Sequence, residues 1–257
     1  MLAIAIPAGL LIGLSLGALG GGGSILTVPA LVYLLHQAPH AATTGSLLIV
    51  GITALAGMAA HKRAGRVRVA HGITFGVLGI AGSYAGTRLS ASIDSGLLLA
   101  LFAVLMLAAT AAMLRRRPVA ASAAPRLRAG TMARRGLKII TAATAVGLLT
   151  GFFGVGGGFV IVPVLVLALG FEMPAAVGTS LLVIAINSGA ALAARFGSHV
   201  QLDWPLLAVF TVAALAGAFA GTRVASRVDA ARLTGAFAVL LGAVAVYSLC
   251  RSLPGLV

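Results

Sequence analysis

Two glycine clusters and a short row of hydroxyl and amide side chains are the parts of this sequence best suited to chemistry. Gly20-Gly21-Gly22-Gly23-Ser24 and Gly154-Val155-Gly156-Gly157-Gly158 lie inside long apolar segments, each followed within two turns by a proline, Pro29 or Pro163. Glycine costs a helix about 1 kcal/mol per residue relative to alanine, so several together predict an unwound or broken helix. Broken backbone at membrane depth survives only when buried in protein or lining a water-filled cavity. Its freed N–H groups, with the positive end of the next half-helix, favour an anion. Gly20, Gly22, Gly23, Ser24, Gly154, Gly156, Gly157 and Gly158 are therefore the candidate binding backbone. Close helix packing through small residues would account for one or two glycines per cluster, but not for the whole run at two matching places.

The second candidate set follows each cluster. Ser46 and Thr53 are seven residues apart, as are Ser180 and Asn187, with Thr44 and Thr179 nearby. Seven residues return a side chain to the same helical face, so each pair could offer hydroxyl or amide groups to the oxygens of a substrate. The plainer alternative is hydrogen bonding between helices or back to the residue's own helix.

Other chemistries find little support. Asp94, Glu172, Asp203 and Asp229 are the only acids, and all fall at the ends of apolar blocks. A proton- or sodium-coupled carrier usually keeps a carboxylate within the membrane. The histidines (His36, His40, His61, His71, His199) are loop or boundary residues without metal-ligand spacing. No Ser-His-Asp set and no paired carboxylates occur within the apolar blocks, so the expectation is no enzyme, no metal and no cofactor. The one cysteine, Cys250, excludes an intrachain disulfide. Arg88 and Arg223, each in a Gly-Thr-Arg triplet, read as side chains snorkelling to headgroups rather than as anion ligands.

The elements that must position these residues are membrane helices. Of 257 residues, 60% are hydrophobic and 9% charged, against about 25% charged in a soluble domain. Apolar blocks of about 18–22 residues match the hydrocarbon core, and the alternation of a barrel strand is missing. The net charge of +14 does not point to nucleic acid, because twelve of eighteen Lys and Arg lie in His61–Arg68 and Arg115–Lys138, between apolar blocks. That is the positive-inside distribution, and it marks both stretches as cytoplasmic. Met1–Ala18 lacks a basic start and makes a poor signal peptide.

The chain also repeats itself at a displacement of 134 to 135 residues: Gly13-Leu14 with Gly147-Leu148, Gly17 with Gly151, Val28-Pro29 with Val162-Pro163, Ser46-Leu47-Leu48 with Ser180-Leu181-Leu182, Gly86-Thr87-Arg88 with Gly221-Thr222-Arg223, and Asp94 with Asp229. Such duplication is common in secondary transporters. The expected organisation is an all-α integral membrane protein: a first repeat (1–117), a basic cytoplasmic linker (118–136) and a second repeat (137–257). Each repeat holds a glycine-broken first segment and three ordinary spans, at about 43–61, 70–90 and 96–114, then 176–195, 204–225 and 231–250. The broken segments run to some 32–34 residues, about 50 Å of helix. That length suits one tilted, kinked crossing or two short half-helices; single crossings, the arrangement expected here, give eight spans, parallel repeats and both termini in the cytoplasm. Re-entrant hairpins give inverted repeats and place Arg223, Arg227 and Arg232 in the cytoplasm, which the charge rule favours.

The run from Gly13-Leu14 through Gly17 and Gly20–Gly23 to Val28-Pro29-Ala30-Leu31 resembles the signature of the sulfite exporter TauE/SafE family. The second copy, Gly147-Leu148-Leu149-Thr150-Gly151-Phe152-Phe153-Gly154-Val155-Gly156-Gly157-Gly158 with Val162-Pro163-Val164-Leu165, matches it more closely, as do Gly178-Thr179-Ser180-Leu181-Leu182 and Val200–Trp204. The first copy departs at Thr43-Thr44-Gly45-Ser46 and in its glycine-only run, so the halves could share a site unequally. The resemblance implies a multi-pass inner-membrane permease that exports sulfite, sulfoacetate or a related organosulfur anion. Its partners would then be a small-molecule anion and the lipid bilayer, with homo-oligomerisation left open. A passive anion channel or a non-transporting scaffold is the alternative.

Overall fold

In lipid a chain must satisfy its backbone polar groups within itself, and in the computed structural model all regular structure among the described residues is helical. The structure describes residues 2–90, a discontinuous part of 101–115, and 132–153, 158–167, 169–194 and 201–252. In chain order the helices are α1 (Leu2–Leu19), α2 (Gly22–Pro29), which continues as a π-helical turn (Ala30–Leu34), α3 (Pro39–Arg63), α4 (Val69–Ser90), α5 (Met132–Phe153), α6 (Gly158–Leu167), α7 (Met173–Ala194), α8 (Trp204–Arg227) and α9 (Ala230–Ser252). Among the described residues, three are long and apolar enough to cross a membrane by themselves: Thr44–Arg63, Met173–Ala193 and Trp204–Arg227. The expected span at 96–114 and the linker at 118–136 lie largely outside the described residues, apart from the first residues of α5.

Local sequence sets the helix ends. Asp203 caps α8 by accepting the Leu206 N–H at 3.2 Å, with Pro205 in the first turn. α3 closes on Gly65 at φ +69°, with Gly65 N–H donating to Lys62 and Arg66 N–H to His61, both at 3.0 Å. His61, Lys62 and Arg63 occupy that last turn, where positive charge suits the helix dipole.

The first broken segment does not continue as one kinked crossing. Gly20 stands at φ +68°, and a methyl group on Gly23 would lie 2.7 Å from the Ile12 carbonyl and from Leu16 Cα. Gly23 is thus level with residues seven and eleven places before it, which requires α2 to fold back along α1 as a hairpin. Segment length alone could not distinguish the two shapes, because about 50 Å of helix fits either. The left-handed backbone that glycine allows at residue 20 decides it.

Small residues let helices touch backbone to backbone, and they do so twice in the same register. Gly9, Gly13 and Gly17 of α1 rest on Phe210–Ala213, Ala214 and Ala218 of α8, and Gly217 and Gly221 return the contact to Leu10–Leu14 and Leu14–Ala18. α5 lies on α4 in the same way: Gly147 on Gly79, Gly82 on Thr144–Leu148, Gly86 on Leu148–Phe152. Each contact maps onto the other at the displacement of the sequence matches. The ends of α2 and α6 also correspond. Leu35 N–H donates to Ala30 and Gln37 N–H to Leu31, as Leu169 N–H does to Val164 and Phe171 N–H to Leu165. His36 (φ 53°) takes the left-handed conformation that Gly170 (φ +70°) takes in the second half.

The contact registers fix helix directions. α7 runs parallel to α4 (Leu182 against Gly72, Ile186 against Gly76, Asn187 against Gly79) and antiparallel to α3 (Ser188 against Gly51, Leu181 against Gly57). α8 runs with α3, since Leu207 meets Gly45 and Ala214 shares a crevice with Ile49, Val50 and Thr53. α1 runs with α8, and α5 with α4. Each of α3, α4 and α1 therefore points opposite to its sequence counterpart α7, α8 or α5. The loop before α7 accordingly lies beside the basic α3–α4 loop: Arg68 N–H donates to Thr179 Oγ1 at 3.0 Å, and the His71 and Phe171 rings meet edge to face at 5.4 Å.

Candidate functional site

Polar side chains cluster in the interior. Ser24, Thr27, Thr44, Ser46, Thr53, His61, Thr179, Ser180, Asn187 and Ser188 are all buried, whereas Leu11, Val77, Val212 and Val239 point outwards. The outward residues suit lipid. Two of the inward ones, Ser24 and Ser180, lie where the two halves meet.

That place is the start of α2 against the start of α6. The Gly21 and Gly158 backbones are in direct contact: a methyl group on Gly158 would stand 2.6 Å from Gly21 Cα, 2.7 Å from Ser24 Oγ and 2.8 Å from Ile184 Cδ1. Gly20 abuts α7 of the opposite half, where an added methyl would be 2.6 Å from Ser180 Oγ. Gly22 opens α2 and Gly23 backs onto α1. Gly20, Gly21, Ser24 and Gly158 meet at this one junction, whereas Gly23 packs away from it against Ile12 and Leu16 of α1. Gly154, Gly156 and Gly157 lie outside the described residues.

The donors expected there are fewer than the glycines suggested. Gly23 N–H turns back to Gly20 at 3.4 Å and Ser24 N–H to Gly21 at 3.2 Å. Ser24 donates its hydroxyl to Gly21 (2.7 Å), Thr53 to Ile49 (2.6 Å) and Ser180 to Val177 (2.8 Å). A hydroxyl has one proton, so each of these faces the interior with lone pairs only, which repel an anion. Thr44 and Ser46 are likewise engaged. Thr179 serves the loop by accepting from Arg68, and in this structure it ties α7 to the α3–α4 turn.

Asn187 differs. It is 6% exposed, and neither its Nδ2 nor its Oδ1 has a partner. Beside it Ser188 is 2% exposed, with its Oγ also unpartnered. Buried polar groups are nearly always hydrogen-bonded, so these atoms are among those in the described interior whose hydrogen-bonding capacity the protein itself does not use. Ser188 was not singled out from sequence, because its counterpart is Ala54 and the duplication gave no polar signal there. His61 was passed over as a helix-end residue. It is buried, Nε2–H donates to the Gly17 carbonyl at 3.0 Å one turn before the Gly20 bend, and Nδ1 is unpartnered. The carbonyl only accepts, so the proton sits on Nε2.

The described acids keep to the periphery, and Asp94 lies outside the described residues. Glu172, Asp203 and Asp229 are exposed, and Asp229 pairs with Arg232 at 4.0 Å across two solvated side chains, a contact worth little. Arg223 is exposed, near the end of α8. The described interior therefore offers an amide, hydroxyls, an imidazole and helix ends, with no fixed negative charge.

Comparison with known proteins finds relatives named as probable membrane transporters. The model of the family described as Sulfite exporter TauE/SafE matches residues 5–248. A probable membrane transporter protein of Xylella fastidiosa is 35% identical over the whole chain and 98% of its own length. The probable membrane transporter protein YdhB of Bacillus subtilis is 28% identical over 83% of the chain and 86% of its own length. A probable membrane transporter protein of Methanocaldococcus jannaschii is 26% identical over 73% of the chain and 70% of its own length. No solved structure matches.

Proposed function

The chain belongs to the sulfite exporter TauE/SafE family, and from that premise we propose that this multi-pass membrane protein is an inner-membrane permease for a small anion, sulfite or a related organosulfur anion such as sulfoacetate. The observation that carries the reading is the meeting of Gly21 and Gly158 at the base of the α2 hairpin and the start of α6, together with the buried and unpartnered Asn187 of α7, the helix that Gly158 touches at Ile184. A neutral, donor-bearing interior suits an oxyanion better than a cation, which would call for a carboxylate.

In this proposal residues 1–117 and 137–257 are two inverted units joined by the basic linker 118–136. The unit interface is the substrate site, as in other inverted-repeat carriers. Small rotations of one unit against the other would open the junction to either side. The inside-negative membrane potential helps expel an anion by about 2.3 kcal/mol per charge per 100 mV, so a charged sulfite can leave without a coupling ion.

The test is counterflow of labelled sulfite in proteoliposomes, wild type against Gly21→Leu. The bulky side chain would drive α2 from the Gly158 backbone, so saturable exchange is expected in the wild type and none in the variant, with both monodisperse in detergent. Efflux should follow an imposed potential and ignore a pH gradient. Flux without saturation would mean a passive channel. Absence of exchange for sulfite and organosulfonates alike would leave a scaffold.

A further inference from the structure

The duplicated interior contains the same junction twice, and the two copies are not chemically equal. In the first, Ile12, Leu16, Ile49, Val50, Thr53 and Ala214 pack around a crevice too small for water between α1, α3 and α8. Its only hydroxyl, Thr53, is closed on the Ile49 carbonyl. At the displacement of the repeat, Thr53 becomes Asn187 and Ala214 becomes Gly79, while neighbouring Ala54 becomes Ser188. Every one of these exchanges makes the second copy more polar or more open. Geometry confirms that the positions correspond: Gly147 rests on Gly79 as Gly13 rests on Ala214. A methyl group at 79 would stand 3.4 Å from Asn187 Oδ1 and 3.5 Å from Nδ2, so the absence of the methyl that Ala214 carries leaves room at the amide.

We propose that the two junctions have diverged, and that the small oxyanion is held at the second one by the Asn187 amide N–H and the Ser188 hydroxyl, while the Thr53 junction is a packing contact. The proposal rests on the permease reading above and names the half of the interface that binds. Asn187 faces α4 at Gly79 and Ser188 faces α3 at Gly51, so the two donors lie at the same level on neighbouring faces of α7. Both are more than nine-tenths buried and neither is satisfied within the protein. An unmet buried donor destabilises the fold unless something occupies it, and a ligand with several acceptor oxygens meets two donors at once. The equivalent hydroxyl of Thr53 has spent its proton and cannot contribute.

The experiment uses the lone native cysteine. Replacing Cys250 with serine gives a full chain without thiols, into which Ser188→Cys or its counterpart Ala54→Cys is placed. Membranes are treated with 2-sulfonatoethyl methanethiosulfonate, itself a small anion, with or without methanesulfonate. Labelling is expected at residue 188, slowed by methanesulfonate, and not at residue 54. Equal labelling at both positions, labelling at neither, or labelling at 188 that methanesulfonate leaves unchanged would each overturn the assignment, the last by showing a water pocket only. Counterflow gives a second measurement: Asn187→Ala should raise the sulfite concentration at half-saturation about tenfold, the loss expected for one hydrogen bond to a charged ligand, and an unchanged value would refute the site. If the wild type exchanges no sulfite, the permease reading for that anion fails, whereas the labelling pattern still decides whether the second junction admits an organosulfonate.

Discussion

At Gly20 the backbone holds φ +68° against Val177 and Ser180, whereas Gly65 holds φ +69° with nothing within 4 Å of an added methyl. The two positions separate backbone strain from packing. Alanine in the left-handed region costs about 1–2 kcal/mol, so Gly65→Ala should lose about that much in a detergent unfolding titration. Gly20→Ala should lose more, because the methyl must also displace Ser180 Oγ from 2.6 Å; equal losses would mean that the bend does not press on α7. Much at this scale was legible. A glycine run in an apolar block signals a break by composition alone, and the seven-residue spacing put Ser180 and Asn187 on one buried face. The donor state was not legible, since whether Thr53 bonds Ile49 or a substrate depends on a rotamer. His61 was also hidden, because a basic helix end reads as a boundary until the Gly17 carbonyl is seen beside it.

Helix positions followed the apolar blocks closely: expected spans at about 70–90, 204–225 and 231–250 appear as α4 (Val69–Ser90), α8 (Trp204–Arg227) and α9 (Ala230–Ser252). Helix partners did not follow, because block lengths carry no register. The glycines that specify partners are those spaced by four, and they act through backbone contact. Gly13 and Gly189 make the contrast testable. A side chain at Gly13 would meet Ala214 Cα at 2.8 Å, whereas one at Gly189, exposed on α7, meets nothing within 4 Å. Gly13→Leu must part α1 from α8, and overpacking of this kind costs about 3 kcal/mol or more. It should lower the midpoint of a detergent unfolding titration. Gly189→Ala should be neutral or gain about 0.5–1 kcal/mol from helix propensity. Loss of folded protein in Gly189→Ala would show that its face is not open in the membrane.

For the whole molecule, direction is the decisive property, and two independent features agree on it. Contact registers make α3, α4 and α1 run opposite to α7, α8 and α5, and the α1–α2 hairpin returns the chain to the side from which it started. With a hairpin in each unit, the basic stretches at 61–68 and 223–232 fall on one side, which the positive-inside rule identifies as cytoplasmic. Eight single crossings would instead leave Arg223, Arg227 and Arg232 outside. Glu172 distinguishes the two topologies. The inverted arrangement puts it beside the cytoplasmic α3–α4 loop, consistent with the Arg68–Thr179 hydrogen bond and the His71–Phe171 ring contact; parallel crossings put it in the periplasm. Exposed Glu172, changed to cysteine in the Cys250→Ser chain, should resist a membrane-impermeant maleimide in intact cells and react in inverted vesicles. The opposite pattern would require the α5–α6 segment to cross once, and the second junction would then lose its symmetry with the first.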